Sequence, residues 1–332
     1  MTINYLDSKI IQGLSTDTKP TSTTVQTNSI FTETDTGKRS WSSNDWLSGF
    51  ALIYGGGGSS TEKFTWTTKT SVAGTALAND DQGQAALCQG STAGFFASGY
   101  RPPYITTIYK YNYSDSVIST KNAVTSAVHG WGGNWSTPTV GYIVRGNNNG
   151  GYGTTVEKYN FTGDSISAGT SLTSGSSDTG SHQSKTIGYG TGRWAAASYG
   201  DTEKYTFSND TKTTGTSLIT STSASGTGSI ISTGVIAGGQ TGNGSGFQSR
   251  IELYNHSSDA VTTASGALTT AGNSRPSYGN NNYALLTSIN QGNPTTVLND
   301  YTYSSGAVTS PTTLVTARVN CSATTSSNEV IE

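Results

Sequence analysis

The segment Thr61-Glu62-Lys63-Phe64-Thr65-Trp66 returns five times, as IYKYNY (108–113), VEKYNF (156–161), TEKYTF (202–207), IELYNH (251–256) and LNDYTY (298–303). Its first aromatic falls at Phe64, Tyr111, Tyr159, Tyr205, Tyr254 and Tyr301, in steps of 47, 48, 46, 49 and 47 residues. Two further markers keep the same beat. Leu77, Val124, Leu172, Leu218, Leu268 and Leu314 each follow their aromatic by 13 or 14 residues. An apolar run bounded by small residues precedes it: GFALIYGG from Gly49, GFFASG from Gly94, GYIVRG from Gly141, GRWAAAS from Gly192, GVIAGG from Gly234 and NYALLTS from Asn282. A period of this length overrides local readings, because each unit buries its apolar face against its neighbours.

Within a unit the alternation has period two, in short β-branched or aromatic runs bounded by Gly, Asn, Ser and Asp. NYSDSV, NFTGDSI, FSNDTK and NHSSDAV read as hairpin turns, with Asp115, Asp164, Asp210 and Asp259 placed to bond the turn backbone. No segment shows a helical period with caps. About 47 residues and four strands per unit make a propeller blade, and six make a closed ring without long exposed edges. Small residues suit the crowded inner strands, aromatics the middle strands, and Ser and Thr the outer, wet ones. The first unit lacks a convincing inner strand, whereas ARVNCSATTSSNEVIE at the other end resembles one. Residues about 317–327 are therefore expected to complete the first blade.

Composition narrows the function. The 332 residues carry 18 Lys and Arg against 20 Asp and Glu, a net charge of −2, so no basic surface exists to neutralise a nucleic-acid backbone. No run approaches the roughly 20 apolar residues of a membrane span, and MTINYLDSKIIQG has neither the basic end nor the apolar stretch of a signal peptide. Two cysteines, Cys88 and Cys321, cannot make a disulfide framework; both fall in expected inner strands.

The GFALIYGG–TEKFTW–AGTAL order resembles kelch-like propellers, particularly the Gly/Thr/Ser-rich kind of viruses of marine and freshwater microbes. The resemblance covers about residues 48–332. It departs from animal kelch repeats, which carry a fuller Gly-Gly and Tyr…Trp signature; here Trp enters the aromatic pair at Trp66 alone. The preceding residues, 1–47, look like a leader seen on bacteriophage and archaeal-virus structural proteins, through SIFTETDTGKR and a Trp-containing end. Phe31, Glu33, Asp35, Gly37, Lys38, Arg39, Trp41 and Trp46 match that phrase. Residues 14–29 read as an extended arm, and SIFTETDTGKRSW as a small hairpin around Asp35-Thr36-Gly37. The fold expected is thus an all-β, six-bladed kelch-like propeller preceded by an arm and hairpin.

The resemblance implies a non-enzymatic virion structural or decoration protein on a capsid or tail. It would be made in the host cytoplasm and be extracellular after release. Phe31, Glu33, Asp35, Lys38, Arg39 and Trp41 would anchor it to other virion proteins, as part of a homo-oligomer. A free carbohydrate-binding lectin is the alternative; a hydrolase or lyase is disfavoured by the sparse charge.

Candidate chemistry is thin. His129, His182 and His256 fall in different repeats, and His256 occupies an aromatic core position. They cannot be assembled with a Cys–Tyr pair into a copper-radical site. One Asp per turn, a blade apart, cannot supply calcium's six to eight oxygens. GYGTGR (188–193) matches a dinucleotide motif loosely and opens no helix; Gly188, Gly190 and Gly192 read as inner-strand and turn glycines. Neither metal nor cofactor is expected. Binding is the better activity, on loops between second and third strands: GYRPPYITT (99–107), GNNNGGYGTT (146–155), GGQTGNGSGFQSR (238–250) and NQGNPTT (290–296). Tyr100, Arg101, Tyr104, Asn147, Asn149, Tyr152, Gln240, Asn243, Phe247 and Gln291 are the candidates, because rings stack on sugar C–H faces while amides pair with hydroxyls. Trp131 and Trp135 are expected near the channel.

Overall fold

The computed structural model describes residues 4–7, 10–13, 29–33, 39–42, 50–56, 58–66, 68–77, 85–89, 92–99, 105–125, 133–148, 151–242, 246–280, 282–289, 294–318 and 321–325. Met1–Gly49 with Thr65–Thr68 form one compact unit, and Phe50–Phe64 with Lys69–Glu332 the other. The first contains a four-stranded sheet of β1 (Asn4–Asp7), β2 (Ile10–Gly13), β3 (Ser29–Glu33) and β4 (Arg39–Ser42), in that order. β3 and β4 are antiparallel, from Ser29 opposite Ser42 to Thr32 opposite Arg39, which is the expected hairpin. β1 and β2 form a second hairpin, and β2 runs parallel to β3. Most of the expected arm lies outside the described residues.

The second unit is a ring of six sheets. The first blade holds β5 (Phe50–Tyr54), β6 (Thr61–Thr65) and β7 (Thr70–Ala73). The second holds β8 (Ala85–Gln89), β9 (Ala93–Gly99), β10 (Ile105–Asn112) and β11 (Ile118–Lys121). The third holds β12 (Gly133–Ser136), β13 (Val140–Asn148), β14 (Gly151–Asn160) and β15 (Ser165–Ala168). The fourth holds β16 (Gly180–Gln183), β17 (Ile187–Trp194), β18 (Ser198–Thr206) and β19 (Thr211–Gly215). The fifth holds β20 (Gly226–Ile230), β21 (Thr233–Ala237), β24 (Arg250–Asn255) and β25 (Val261–Ala267), with β22 (Gln240–Thr241) and β23 (Gly246–Phe247) as a small hairpin. The sixth holds β26 (Asn273–Gly279), β27 (Tyr283–Ile289), β28 (Thr295–Thr302), β29 (Val308–Thr309) and β30 (Thr313–Arg318). The last strand, β31 (Ser322–Thr325), pairs with β5 and supplies the first blade's missing inner strand. β31, β8, β12, β16, β20 and β26 neighbour one another in turn, so they line the axis.

Close approach of blades requires small residues at one register position. Gly94, Gly141, Gly188, Gly234 and Ala284 sit opposite the third-strand aromatics Tyr111, Tyr159, Tyr205, Tyr254 and Tyr301. A Cβ on Gly188 would come within 2.2 Å of the Trp135 ring, and one on Gly234 within 2.2 Å of His182. At the four glycines the side chain that fills the space comes from the preceding blade's inner strand (Thr324, Leu87, Trp135 and His182); at the fifth position the roles are reversed, with Ala284 facing Gly228. Aromatic quartets complete the wedges. Trp135 and Tyr142 meet Tyr205 and Phe207, with Tyr142 stacked on Phe207 at 4.8 Å. Each such pair adds about 0.5–1.5 kcal/mol beyond the area it buries. All six Leu or Val markers are buried.

Two details correct the sequence reading. The fourth blade's counterpart of GFFASG is Gly188-Tyr189-Gly190-Thr191 on the second strand, β17; GRWAAAS is the hairpin that follows it. Gly188 and Gly190 are therefore second-strand rather than inner-strand residues, and Gly192 alone turns, at φ +60°. Ser and Thr are likewise not confined to the outer strands. On the axis they bond the neighbouring inner strand: Cys88 N donates to Ser136 Oγ (3.0 Å), Asn134 N to Ser181 Oγ (3.0 Å) and Gln183 N to Ser229 Oγ (2.8 Å).

A buried clasp recurs between blades. Glu203 accepts Thr173 N (2.7 Å) and Ser174 N (3.4 Å) from the preceding blade. Glu252 accepts Ile219 N (2.8 Å) and Thr220 N (3.0 Å), and Glu62 accepts Val315 N (2.7 Å) and Thr316 N (2.9 Å). Glu157 and Asn299 take Thr125 N and Thr269 N in the same way. Each amide follows a Leu or Val marker, so the carboxylate pins the linker leading to the next blade. Charge-assisted bonds of this kind offset the cost of burying the carboxylate. In the second blade Tyr109 stands at this position.

The turns between third and fourth strands add a strap. The residue five after each aromatic has left-handed backbone: Lys69, Ser116, Asp164, Asp210, Asp259 and Gly306, with φ of 46–70°. Asp115 stands one place earlier and accepts Val117 N (2.9 Å), as a turn carboxylate should. The other three aspartates reach further. Asp164 accepts Tyr159 Oη (2.7 Å) and Asn122 N (3.1 Å), while Lys158 and Lys204 bond Asp210 and Asp259 of the blade ahead. Between the sixth and first blades the polarity is reversed: Asp300 on the third strand accepts from Lys69 in the turn. Lys69→Asp or Asp300→Lys alone should therefore lower stability by about 3 kcal/mol by leaving a largely buried charge without its partner. The double exchange copies the Lys158–Asp210 polarity and should restore most of that loss. Thermal or urea unfolding of the three variants checks this.

Candidate binding face

Antiparallel strands place the second-to-third hairpins and the interblade linkers on one face. The clasps lie under that face and hold its linkers. The fourth blade's hairpin is held from both sides. Tyr152, on the third blade's hairpin, accepts Ala196 N at 3.0 Å. Ser198 Oγ donates to the carbonyls of Gln240 (3.0 Å) and Gly242 (3.3 Å) in the fifth blade. Ser177 and Trp194 exchange backbone bonds at 2.8 and 2.9 Å. Arg193 and Tyr199 are paired across the hairpin, and the guanidinium lies 4.1 Å from the Tyr199 ring centroid. Its Nε contacts both Asp201 carboxylate oxygens at 2.9 Å. Tyr152 and Tyr199 remain 39% and 40% exposed, on adjoining hairpins joined by the Tyr152–Ala196 bond.

The residues expected from the sequence scatter more widely. Asn147 is half-buried on β13, directly opposite Tyr152. Gln240 is only 6% exposed and its backbone pairs with Ser223, so its side chain is turned inward. Phe247 is half-buried on β23. Tyr100, Arg101, Tyr104, Asn149, Asn243 and Gln291 lie outside the described residues. So do Asp35 and Lys38, while Phe31, Glu33, Arg39 and Trp41 fall on β3 and β4. Arg193, Trp194, Tyr199 and Asp201 were missed because GRWAAAS was aligned with a strand. The usable signal was an Arg-Trp and a Tyr-Gly-Asp flanking three alanines. Arg250 borders a small crevice with Thr222 and Gln248, but it is committed to Thr220, Thr263 and Glu252.

The histidines form a packed pair. His182 Nδ1 and His256 Nε2 are 3.0 Å apart, and both rings stack on Tyr189. His256 Nδ1 lies 3.0 Å from the Ile231 carbonyl. They occupy the places of Trp135 and Phe207 one interface earlier; Trp135 is buried there, and Trp131 and His129 lie outside the described residues. Among the described residues no group of three or more His, Cys, Asp or Glu side chains is arranged for a metal. Cys88 and Cys321 are unbridged and buried. No described helix is long and apolar enough to cross a membrane.

Burial lowers the pKa of His182 well below the ordinary histidine value, the second imidazole adding to the effect, and burial lowers that of His256 too. The unfolded chain then binds more protons than the folded one below about pH 6.5. Stability should be full above that pH and fall as the solution is acidified toward the folded-state values. The double variant His182→Trp/His256→Phe, which copies the preceding interface, should flatten the part of the profile due to this pair; melting temperatures from pH 5 to 8 test it.

No family model and no curated protein sequence matches the chain. Among solved structures it is similar to that of YjhT, with a TM-score of 0.60 and 12% identity over 76% of this chain and 87% of that one. At that identity the likeness is one of fold, and it supports the six-bladed propeller.

Proposed function

We propose that the chain is a non-enzymatic, kelch-like display protein of a virion. Its N-terminal strands face other virion proteins, and its propeller turns the hairpin face toward host-surface glycans. The observation that carries the binding half is the pair of exposed tyrosines, Tyr152 and Tyr199, on hairpins braced against each other. Exposed rings on a fixed scaffold suit sugars, and function concentrates in such loops. What supports a non-enzymatic reading is that Glu62, Glu157, Glu203 and Glu252 are bound to backbone amides, where they serve as structural clasps. The virion half rests on the leader's resemblance to phage and archaeal-virus structural proteins.

A free lectin shares the binding face and differs in what the first 47 residues do. Copurification of the chain with viral particles, lost when residues 1–47 are removed, is expected on the virion reading and contradicts the lectin. On a glycan array the full chain should give a signal that Tyr152→Ala weakens; an array with no signal would remove the glycan contact.

A further inference from the structure

The fourth blade's hairpin offers a built arrangement of donors, acceptors and apolar faces. Arg193 uses Nε alone on Asp201; among the described residues its two Nη groups donate to no acceptor. The Tyr199 ring and the Asp201 contact together hold the guanidinium plane, so little side-chain freedom remains to be lost on binding. Asp201 is about a third exposed and keeps free lone pairs. The hairpin tip between the two strands is Ala195-Ala196-Ala197, with Ala196 N held by Tyr152 Oη.

Charge decides the ligand class. An anion drawn to the Arg193 Nη groups would meet the Asp201 carboxylate already in contact with that guanidinium. The pair has no net charge and sets donors beside acceptors. Adjacent sugar hydroxyls need both, since each donates once and accepts. We propose that Gly192–Asp201 together with Tyr152 is a subsite for a neutral hexose bearing vicinal hydroxyls. Arg193 Nη donates to one hydroxyl oxygen, Asp201 accepts from its neighbour, and the exposed tyrosines contact the C–H face of the ring. The assignment rests on the glycan reading above and names its ligand class and its residues.

The test is a titration of the isotope-labelled full chain with mannobiose, galactobiose, cellobiose and a glucuronate-containing disaccharide, followed through backbone amide resonances. At least one neutral disaccharide should shift amides of 192–201 and bind more tightly than the uronate. Arg193→Gln and Tyr199→Ala should each weaken it by about tenfold or more, with unchanged melting. Tighter binding of the uronate would overturn the ligand class. Binding that leaves 192–201 unshifted and survives both variants would overturn the site while the glycan reading stands. No binding of any of the four would overturn both. Should a variant fail to fold, the shift map of the unaltered chain decides the location by itself.

Discussion

An inner strand of a propeller blade is paired along one edge and bare along the other, and the rest of this structure depends on how the bare edge is satisfied. Unpaired backbone groups in a buried position are costly. Here side chains of the neighbouring inner strand supply the partners. Gln183 does so twice, accepting Ser136 N at 2.7 Å and donating to its carbonyl at 2.7 Å. Cys88 Sγ and Thr324 Oγ1 reach carbonyls across the first and second blades at 2.9 and 3.1 Å. A chain rich in Ser and Thr and poor in charge is what such an axis needs. Because every inner strand depends on a neighbour, the ring has to close. The chain closes it with β31, beside which Arg318 forms a fully buried ion pair with Glu62 (3.0 Å) and donates to Gly55 O (2.9 Å).

Away from the axis the blades are wedges whose fillings are interchangeable. Leu87 with Phe95, Trp135 with Tyr142, and His182 with Tyr189 are three solutions to one packing problem, each met by two residues of the next blade and by a glycine that leaves room. Of the three, the histidine version brings a pair of imidazoles into the core. The clasp then fixes the linkers relative to the sheets, and the strap ties turns between third and fourth strands to neighbouring blades. The hairpin face inherits its rigidity from below, and the Arg193–Tyr199–Asp201 geometry follows from that support.

Much of the fold was legible, because it rests on a period. Aromatics at 64, 111, 159, 205, 254 and 301 fix blade number and third strands, and the inner-strand character of the C-terminal segment predicts closure. The fourth blade slipped because Gly188-Tyr189-Gly190-Thr191 lacks the apolar run of its counterparts, while Trp194 and three alanines nearby imitate one. The clasp was visible but unread. Glu62, Glu157, Glu203 and Glu252 recur two places before the aromatic, and a carboxylate on an alternating strand reads as a solvent-facing residue until its partners are seen. The site was least legible, since amides and rings in a loop show which groups exist and not which way they turn. Gln240 turns inward, and Arg193 is oriented by a cross-strand tyrosine that spacing alone does not single out.

Completion of the first blade by the far end of the chain is the claim most directly open to measurement. Native-state hydrogen exchange of the amides in Ala51–Tyr54 and Ser322–Thr325 reports it, because strands locked into a closed ring open only with the whole fold. The account predicts protection of the hydrogen-bonded amides in both segments equal to the global unfolding free energy and lost together with denaturant. Exchange of Ser322–Thr325 at the rate of a frayed terminus, with the other five blades still protected, would contradict it.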